Sequence, residues 1–551
     1  MNDIPGPADW LADAVLYEIY PQSFADTDGD GIGDFPGVLA HLDHLHWLGV
    51  DTIWFNPCFA SPFVDAGYDV SDYQLVAPRY GSNDDLIAVI EAARERGIRV
   101  LLDLVAGHTS SEHSWFQAEA NAAGPDPLGD RYVWTDSVDA DQISDGNPRT
   151  RPWVASPGTR SGYYLKNFYD AQPALNFGYA SLDPEEPWRQ PADAPGPQRN
   201  RQALREIMSF WLDRGVAGFR VDMAFSLVKD DPGYQVTTAL WRDLRAWLDQ
   251  AYPAAVLIPE GSEPHAASHP PAFHAEFFLV IGAAHQSLFA NGGAGELPWR
   301  PAAPCFFDAE GRGSVDTLLQ EWNAVRSARP DRPILLGSSD HDFARMATGR
   351  RSYEQLGAAY TFLLTWGSVP SIYYGDEIGI RNQDDLTINK EGSLIFPGFY
   401  DRAGTRTPMQ WDTSPNAGFS TAPAEHLYLP IDPDPERQTV SAALEDPSSL
   451  IHLIRRLIAL RKEIPALGTR SAISVVHAGY PFVYRRGDHH LVVVNPGQAP
   501  ATLAVPGLDS AKEILNSGVT AGNGKIHADG FAYAILETPG RRSGGERSAP
   551  A

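Results

Sequence analysis

The sequence has little cysteine, little basic charge and no long apolar run. Only Cys58 and Cys305 occur among 551 residues, too few for a disulfide framework, and both read as buried, inert thiols. Nowhere do about 18 apolar residues run together, so no membrane span is expected. The first ten residues, which include Asn2, Asp3, Pro5, Gly6 and Pro7, form neither a basic nor an apolar signal-peptide region, and a cytoplasmic location is the default expectation. Lysine and arginine total 43 against 70 acidic residues, a formal net charge of −27. A surface this acidic repels phosphate backbones and anionic lipid, which argues against nucleic acid and membranes as partners. Most of that charge reads as solvated surface.

The chain is long enough for one large domain with smaller ones attached. Its 43% hydrophobic and 11% aromatic residues mark it as folded. Short apolar, β-branched runs recur at 14–20, 50–55, 98–105, 218–222, 256–259, 277–281, 334–337 and 369–374, the sixth weakly marked. Helix-like stretches, such as 82–96 and 202–214, lie between most of them. Continuous apolar strands alternating with helices predict a (β/α)8 TIM barrel in the α/β class. A loop-rich subdomain over 109–198, full of Gly, Pro, Asp and Trp, interrupts it after strand three. The barrel therefore divides into 1–108 and 199–465, closed by a helix at 449–462. Alternating short strands at 466–540 predict a C-terminal antiparallel β-sandwich, and 541–551 a disordered tail.

Catalytic groups of such barrels stand at the C-terminal ends of strands. Strand three ends in Asp103-Leu-Val-Ala-Gly-His108, and strand four ends in Arg220-Val-Asp222. Strand five ends in Glu260 and strand seven in Ser339-Asp-His-Asp342. Carboxylates from three strands can thus share one cup with two histidines and an arginine. Two close carboxyl groups suit retaining glycoside hydrolysis, one as ionised nucleophile and one as proton donor. Arg220, two residues before Asp222, faces the same side of its strand and is expected to keep Asp222 ionised. Glu260 follows an apolar strand with no cation beside it in sequence, which favours a raised pKa.

These strand ends join five motifs: Asp26-Thr-Asp-Gly-Asp-Gly-Ile-Gly-Asp34, Gly67-Tyr-Asp-Val-Ser-Asp-Tyr73, Gln172-Pro-Ala-Leu-Asn176, Tyr373-Tyr-Gly-Asp-Glu377 and Arg406-Thr-Pro-Met-Gln-Trp411. Together they resemble the α-amylase family, glycoside hydrolase family 13, in its oligo-1,6-glucosidase, α-glucosidase and trehalose synthase branch. The resemblance implies Asp222 as nucleophile, Glu260 as general acid/base and Asp342 as the third carboxylate, binding sugar hydroxyls. It implies that His108 and His341 bond hydroxyls of the same sugar, that Arg220 attends the nucleophile, and that Tyr68 forms an aromatic platform. Asp65 and Arg402 match a pair that grips a terminal glucose in exo-acting relatives. The implied substrate is a small α-glucoside. Hydrolysis by double displacement is the leading reading, with transglucosylation or glucoside isomerisation, as in a trehalose synthase, as the alternative. A catalytically inactive transporter-associated subunit is a remote third reading, opposed by the intact carboxylates. Oligomeric state is left open.

Asp26, Asp28, Asp30 and Asp34, with the carbonyl of Ile32, are oxygen donors spaced by glycines and suit a hard cation. The family counterpart of this loop holds a structural calcium or magnesium ion; no organic cofactor is implied. Five departures from the family pattern stand out. Gly107 replaces an asparagine that helps bind a calcium between barrel and insertion in endo-amylases, Asp340 replaces an asparagine, and Ala174 replaces an aspartate. Met223, after the nucleophile, is neither the valine that accompanies α-1,6 preference nor the threonine that accompanies α-1,4, and Gly261-Ser262 is atypical too. Linkage preference stays open.

Overall fold

Eight apolar segments form one parallel sheet: β1 (Leu16–Ile19), β2 (Thr52–Phe55), β3 (Arg99–Val105), β4 (Gly218–Asp222), β5 (Val256–Pro259), β6 (Glu276–Phe278), β7 (Ile334–Gly337) and β8 (Val369–Tyr373). The computed structural model describes residues 8–148, 150–262, 271–290, 304–348, 351–396, 400–508 and 510–539. The strand order is β5-β4-β3-β2-β1-β8-β7-β6. Nearly every strand residue is buried, as expected of strands covered on both faces. The sixth strand stops at Phe278 instead of running to 281, because the chain turns there: Gly282 N donates to Leu279 O at 2.7 Å. At the seam between β5 and β6, His274 closes the gap. Its backbone N–H donates to Leu257 O and its ring Nδ1 accepts from Leu257 N, each at 2.9 Å.

Side-chain alternation divides the barrel interior into two layers. Leu16, Trp54, Leu101, Val256, Ile258, Phe277, Leu335 and Val369 form an apolar lower layer. Two residues further along their strands stand Glu18, Asn56 and Asp103, joined by Arg220 two residues after Gly218. The upper layer is therefore polar, and it forms the floor of the site. Gly218 is required where β4 crosses β5, since a Cβ there would sit 2.2 Å from Val256 O.

Between β3 and β4, the insertion carries a helix, Ser114–Ala120, and a three-stranded sheet of Trp134–Thr135, Tyr163–Leu165 and Trp153–Ala155. The following helix begins at Pro195, not 202, with proline in its first turn where no donor is lost. The C-terminal strands are β9 (Ile473–Ala478), β10 (Phe482–Arg486), β11 (His490–Val494), β12 (Ala501–Ala504), β13 (Lys512–Gly522) and β14 (Lys525–Glu537), antiparallel throughout. β14 pairs with β11 over 533–537 and with β12 over 525–528. Phe482 and Tyr484 pack on the barrel helix Tyr353–Thr365, while Val483, Leu491 and Val493 join a second apolar cluster with Ile526 and Ala528. The predicted tail lies outside the described residues, and no described helix is long and apolar enough to cross a membrane.

Candidate active site

Strand register assembles the first part of the site. In the β3–β4 ladder Asp103 lies beside Arg220, and Ile258 of β5 lies on its other side. One more step, through Glu260 N donating to Val221 O at 2.8 Å, sets Glu260 next to Asp222. Arg220 then serves three acids at once. Its Nη1 donates to Asp103 Oδ1 at 2.9 Å and to Asp222 Oδ1 at 3.2 Å, and its Nη2 lies 3.3 Å from Glu260 Oε1. Glu260 therefore does have a cation beside it, contrary to expectation: the neighbour comes from the adjacent strand and is invisible in local sequence.

The expectation for Asp222 needs correction too. Burial and the Glu260 charge push its carboxyl well above the usual range, against the pull of Arg220. Glu260 Oε2 also accepts from Met223 N at 2.7 Å, at a residue held at φ +42°. The Glu260 side chain is 24% exposed against 9% for Asp222, so Glu260 faces the mouth and Asp222 the floor.

On the far side, Arg402 closes the cup. Its Nη1 donates to Asp342 Oδ1 at 2.7 Å and its Nη2 to Asp65 Oδ1 at 2.9 Å, with all three residues largely buried. Gln172 from the insertion donates to Asp65 Oδ2 at 2.9 Å, and Arg406 Nη2 reaches Asp342 Oδ1 at 3.1 Å. Burial opposes ionisation of Asp342, but the guanidinium groups of Arg402 and Arg406 outweigh it and hold the carboxyl well below the usual range. Tyr68 stacks on His341 with ring centres 5.5 Å apart, and its hydroxyl lies 2.7 Å from His341 Nε2 and 3.2 Å from Asp103 Oδ2. Burial keeps His341 neutral, its pKa down at about 3.

His108 ends β3's loop, with Nε2 3.0 Å from Tyr68 O and Nδ1 3.0 Å from Asn167 Nδ2. The same amide touches Met223 Sδ at 3.5 Å and Ser226 Oγ at 3.3 Å, and Lys229 Nζ donates to Asn167 Oδ1 at 3.3 Å. A Cβ on Gly107 would lie 2.8 Å from Ser226 Oγ and 3.0 Å from Asn167 Nδ2. The asparagine usual at that position would have to displace the Ser226 and Asn167 side chains. Lys229, half-buried and with its pKa lowered to about 8 by desolvation, brings a cation of its own to the junction of barrel and insertion.

Away from the cup, oxygens of Asp26, Asp28 and Asp34 lie within 4.8 Å of one another. Asp30 does not join this group. Its Oδ1 accepts from Ile32 N at 2.7 Å, and burial together with the charges of Asp28, Asp26 and Asp34 raises its pKa. Asp34 doubles as the N-cap of the helix Phe35–Ala40, accepting from Gly37 N at 2.6 Å.

Several participants carried no expectation at the level of sequence. Asp103, Gln172 and Arg406 were visible within strand-end or motif text but had no assigned task. Asn167 had no signal. Glu18 had one, an acid inside the apolar run 14–20.

Comparison with known proteins places these residues in a wider set. The family model described as "Alpha amylase, catalytic domain" matches residues 18–252 and 315–469. A trehalose synthase of Pimelobacter sp. (strain R48) is 34% identical over 512 residues, covering 84% of this chain and 81% of the relative. An oligo-1,6-glucosidase of Parageobacillus thermoglucosidasius is 30% identical over 544 residues, covering 88% and 90%. Among solved structures, the trehalulose synthase MutB from Pseudomonas mesoacidophila MX-45 superposes with a TM-score of 0.76 at 26% identity, covering 98% of this chain and 100% of that one.

Proposed function

The chain belongs to the α-amylase family, and on that premise we propose that it is a retaining, exo-acting α-glucosidase acting on short α-glucosides. One observation carries the exo reading: the buried Asp65–Arg402–Asp342 bridge walls off the cup behind a single sugar. A terminal glucose then fits and a chain running through does not.

In this reading Asp222 attacks the anomeric carbon while Glu260 protonates the leaving oxygen. The covalent glucosyl-enzyme is hydrolysed when Glu260 takes a proton from the attacking water. Arg220, in reach of both groups, stabilises whichever carboxylate is ionised. Asp342, held ionised, accepts hydrogen bonds from the sugar hydroxyls and favours the positive charge that develops on the ring.

Transglucosylation or isomerisation is the second reading, supported by similarity to a trehalose synthase and to MutB, a trehalulose synthase solved in one variant with sucrose. Both readings share the glucosyl-enzyme and differ in whether water or a sugar hydroxyl resolves it. Incubation with maltose, isomaltose, trehalose, sucrose and nigerose decides between them. Glucose release matching substrate loss supports hydrolysis, new disaccharide without a gain in reducing ends supports transfer, and no turnover of any of them sinks both.

The Asp26, Asp28 and Asp34 oxygens fit a divalent cation such as calcium or magnesium. Its task would be structural: it would tie the loop after β1 to the helix that Asp34 caps, and the chemistry needs none of it.

A further inference from the structure

The wall of the cup is built on two loops that lie far apart in sequence. Arg402 Nη2 has two acceptors, Asp65 Oδ1 at 2.9 Å and Gly392 O at 2.8 Å. Asp65 lies in the loop after β2 and Gly392 in the loop after β8. Each follows a residue in the left-handed backbone region: Phe63, at φ +60°, stands two places before Asp65, and Glu391, at φ +49°, stands just before Gly392. Residues other than glycine hold that conformation where surrounding contacts enforce it.

Arg79 supplies such contacts to both loops. It stands on the one-turn helix Pro78–Tyr80, and its guanidinium carbon lies 3.1 Å from the centre of the Phe63 ring. Its Nη1 and Nη2 donate to Glu391 Oε1 and Oε2 at 2.7 and 3.0 Å, a fork that fixes the carboxylate in one orientation. Tyr428 adds a third donor, to Glu391 Oε2 at 3.0 Å. Both charged side chains are only 15% exposed, so solvent screens them less than an open surface pair. The loops are in close contact beside this tie: a Cβ on Gly392 would lie 2.8 Å from Val64 O. Tyr169 of the insertion also donates to Gly392 O at 2.8 Å, and Arg402 N donates to Ser393 O at 2.9 Å.

We propose that Arg79 and Glu391 are positioning residues for exo specificity: paired above Phe63, they lock the loops after β2 and β8 together, so that Asp65 and Gly392 O form a fixed seat for Arg402 behind the sugar. Each acts through Arg402. The placement singles out this pair, because the two partners of Arg79 stand within two residues of the two acceptors of one guanidinium nitrogen. Arg402 holds the terminal sugar in the ground state as well as in the transition state. A loosened seat should therefore raise KM more than it lowers kcat. A pair that served stability alone would lower Tm and leave KM where it was.

This inference rests on the exo reading of the cup. Its test compares wild type, R79M, E391Q, R402A and E391Q/R402A on an aryl α-glucoside and an aryl α-maltoside. Methionine keeps an apolar stem beneath Phe63 without the charge, and glutamine keeps an acceptor for Tyr428. R79M and E391Q should each raise KM for the aryl glucoside by about 3- to 10-fold with kcat within about twofold of wild type. Beside R402A, E391Q should add less than about twofold, because its route to the sugar is already gone. An unmoved KM in either single variant overturns the proposal. So does an E391Q effect that persists in full beside R402A, the result of an ion pair acting elsewhere. If R79M fails to fold, E391Q and its cross with R402A decide. The aryl maltoside keeps the two readings apart. Wild type should free glucose first and leave the aryl glucoside. Direct release of maltose by wild type, or no turnover of either substrate, overturns the exo reading and this inference with it. Glucose-first release with KM unmoved in the variants overturns only the inference.

Discussion

Two groups of carboxylates sit on this barrel, and their surroundings differ more than their composition. In the cup, Asp222, Glu260, Asp342, Asp65 and Asp103 are answered by the guanidinium groups of Arg220, Arg402 and Arg406. In the loop after β1, Asp26, Asp28, Asp30 and Asp34 are answered by backbone N–H groups of Gly29, Gly31, Asp30, Ile32 and Gly37. A peptide N–H orients a carboxylate without removing its charge. A buried arginine orients it and compensates the charge, at a desolvation cost that only a dense network repays. The first arrangement leaves a place for a cation. The second leaves a place for a neutral sugar and a moving proton.

The comparison breaks first, and hardest, at the nucleophile. Asp222→Asn should lower kcat by about 10⁴-fold or more with folding intact, because the attacking oxygen is lost while the Arg220 contact can persist; full activity in the variant would remove Asp222 from the mechanism. Next comes Glu260→Gln, expected to cost about 10²- to 10⁴-fold on maltose and much less on an aryl glucoside with a good leaving group. Equal losses on the two substrates would mean that Glu260 is not the acid. A smaller effect is expected from Arg402→Ala, which leaves Asp65 without its cation and Asp342 with Arg406 alone. A loss of about 10²-fold in kcat/KM, with longer oligosaccharides now competing with disaccharides, would show the wall has opened. Unaltered chain-length preference would show that Arg402 does not form it.

What could be read from the chain follows the same division. The strands were legible because burial on both faces demands continuous apolar runs, and the cup acids because strand ends carry them. Arg220 beside Asp222 was legible from a spacing of two. Its reach to Glu260 was not, since that depends on the β4–β5 register. Asp222, expected from sequence to be kept ionised by Arg220, has its pKa raised instead by burial and the Glu260 charge, both tertiary quantities. Glu18 shows the limit most clearly. An acid within an apolar strand is a plain anomaly in one dimension, but its partners are set only when β1, β2 and the loop after β7 bring Asn56 and His341 to it. Asn167 and Lys229 had no local signal, because an insertion and a barrel helix loop meet only in three dimensions.

The weakest effect should come from the loop, and its pH dependence has a definite sign. Asp30 has a raised pKa in the folded protein, from burial and from three acidic neighbours. A carboxyl raised on folding favours the native state where it is protonated, and that contribution is lost as pH rises through its folded pKa. The metal-free protein should therefore gain stability from this loop on going from neutral pH down towards the ordinary carboxylate range. A bound divalent cation removes the repulsion between the acids and should raise Tm by a few degrees at neutral pH, about 1–2 kcal/mol of linkage at moderate excess. As the carboxylates protonate they release the cation, so the two curves should converge at acid pH. Thermal melts with calcium, with magnesium and with chelator at neutral and mildly acidic pH check this, alongside kcat, which should stay the same with and without the ion. A Tm indifferent to calcium, magnesium and chelator at neutral pH would leave the loop as a glycine-rich turn held by its own backbone. A kcat that fell with chelation while Tm held steady would instead tie the loop to the cup, and the division between the two acid clusters would fail.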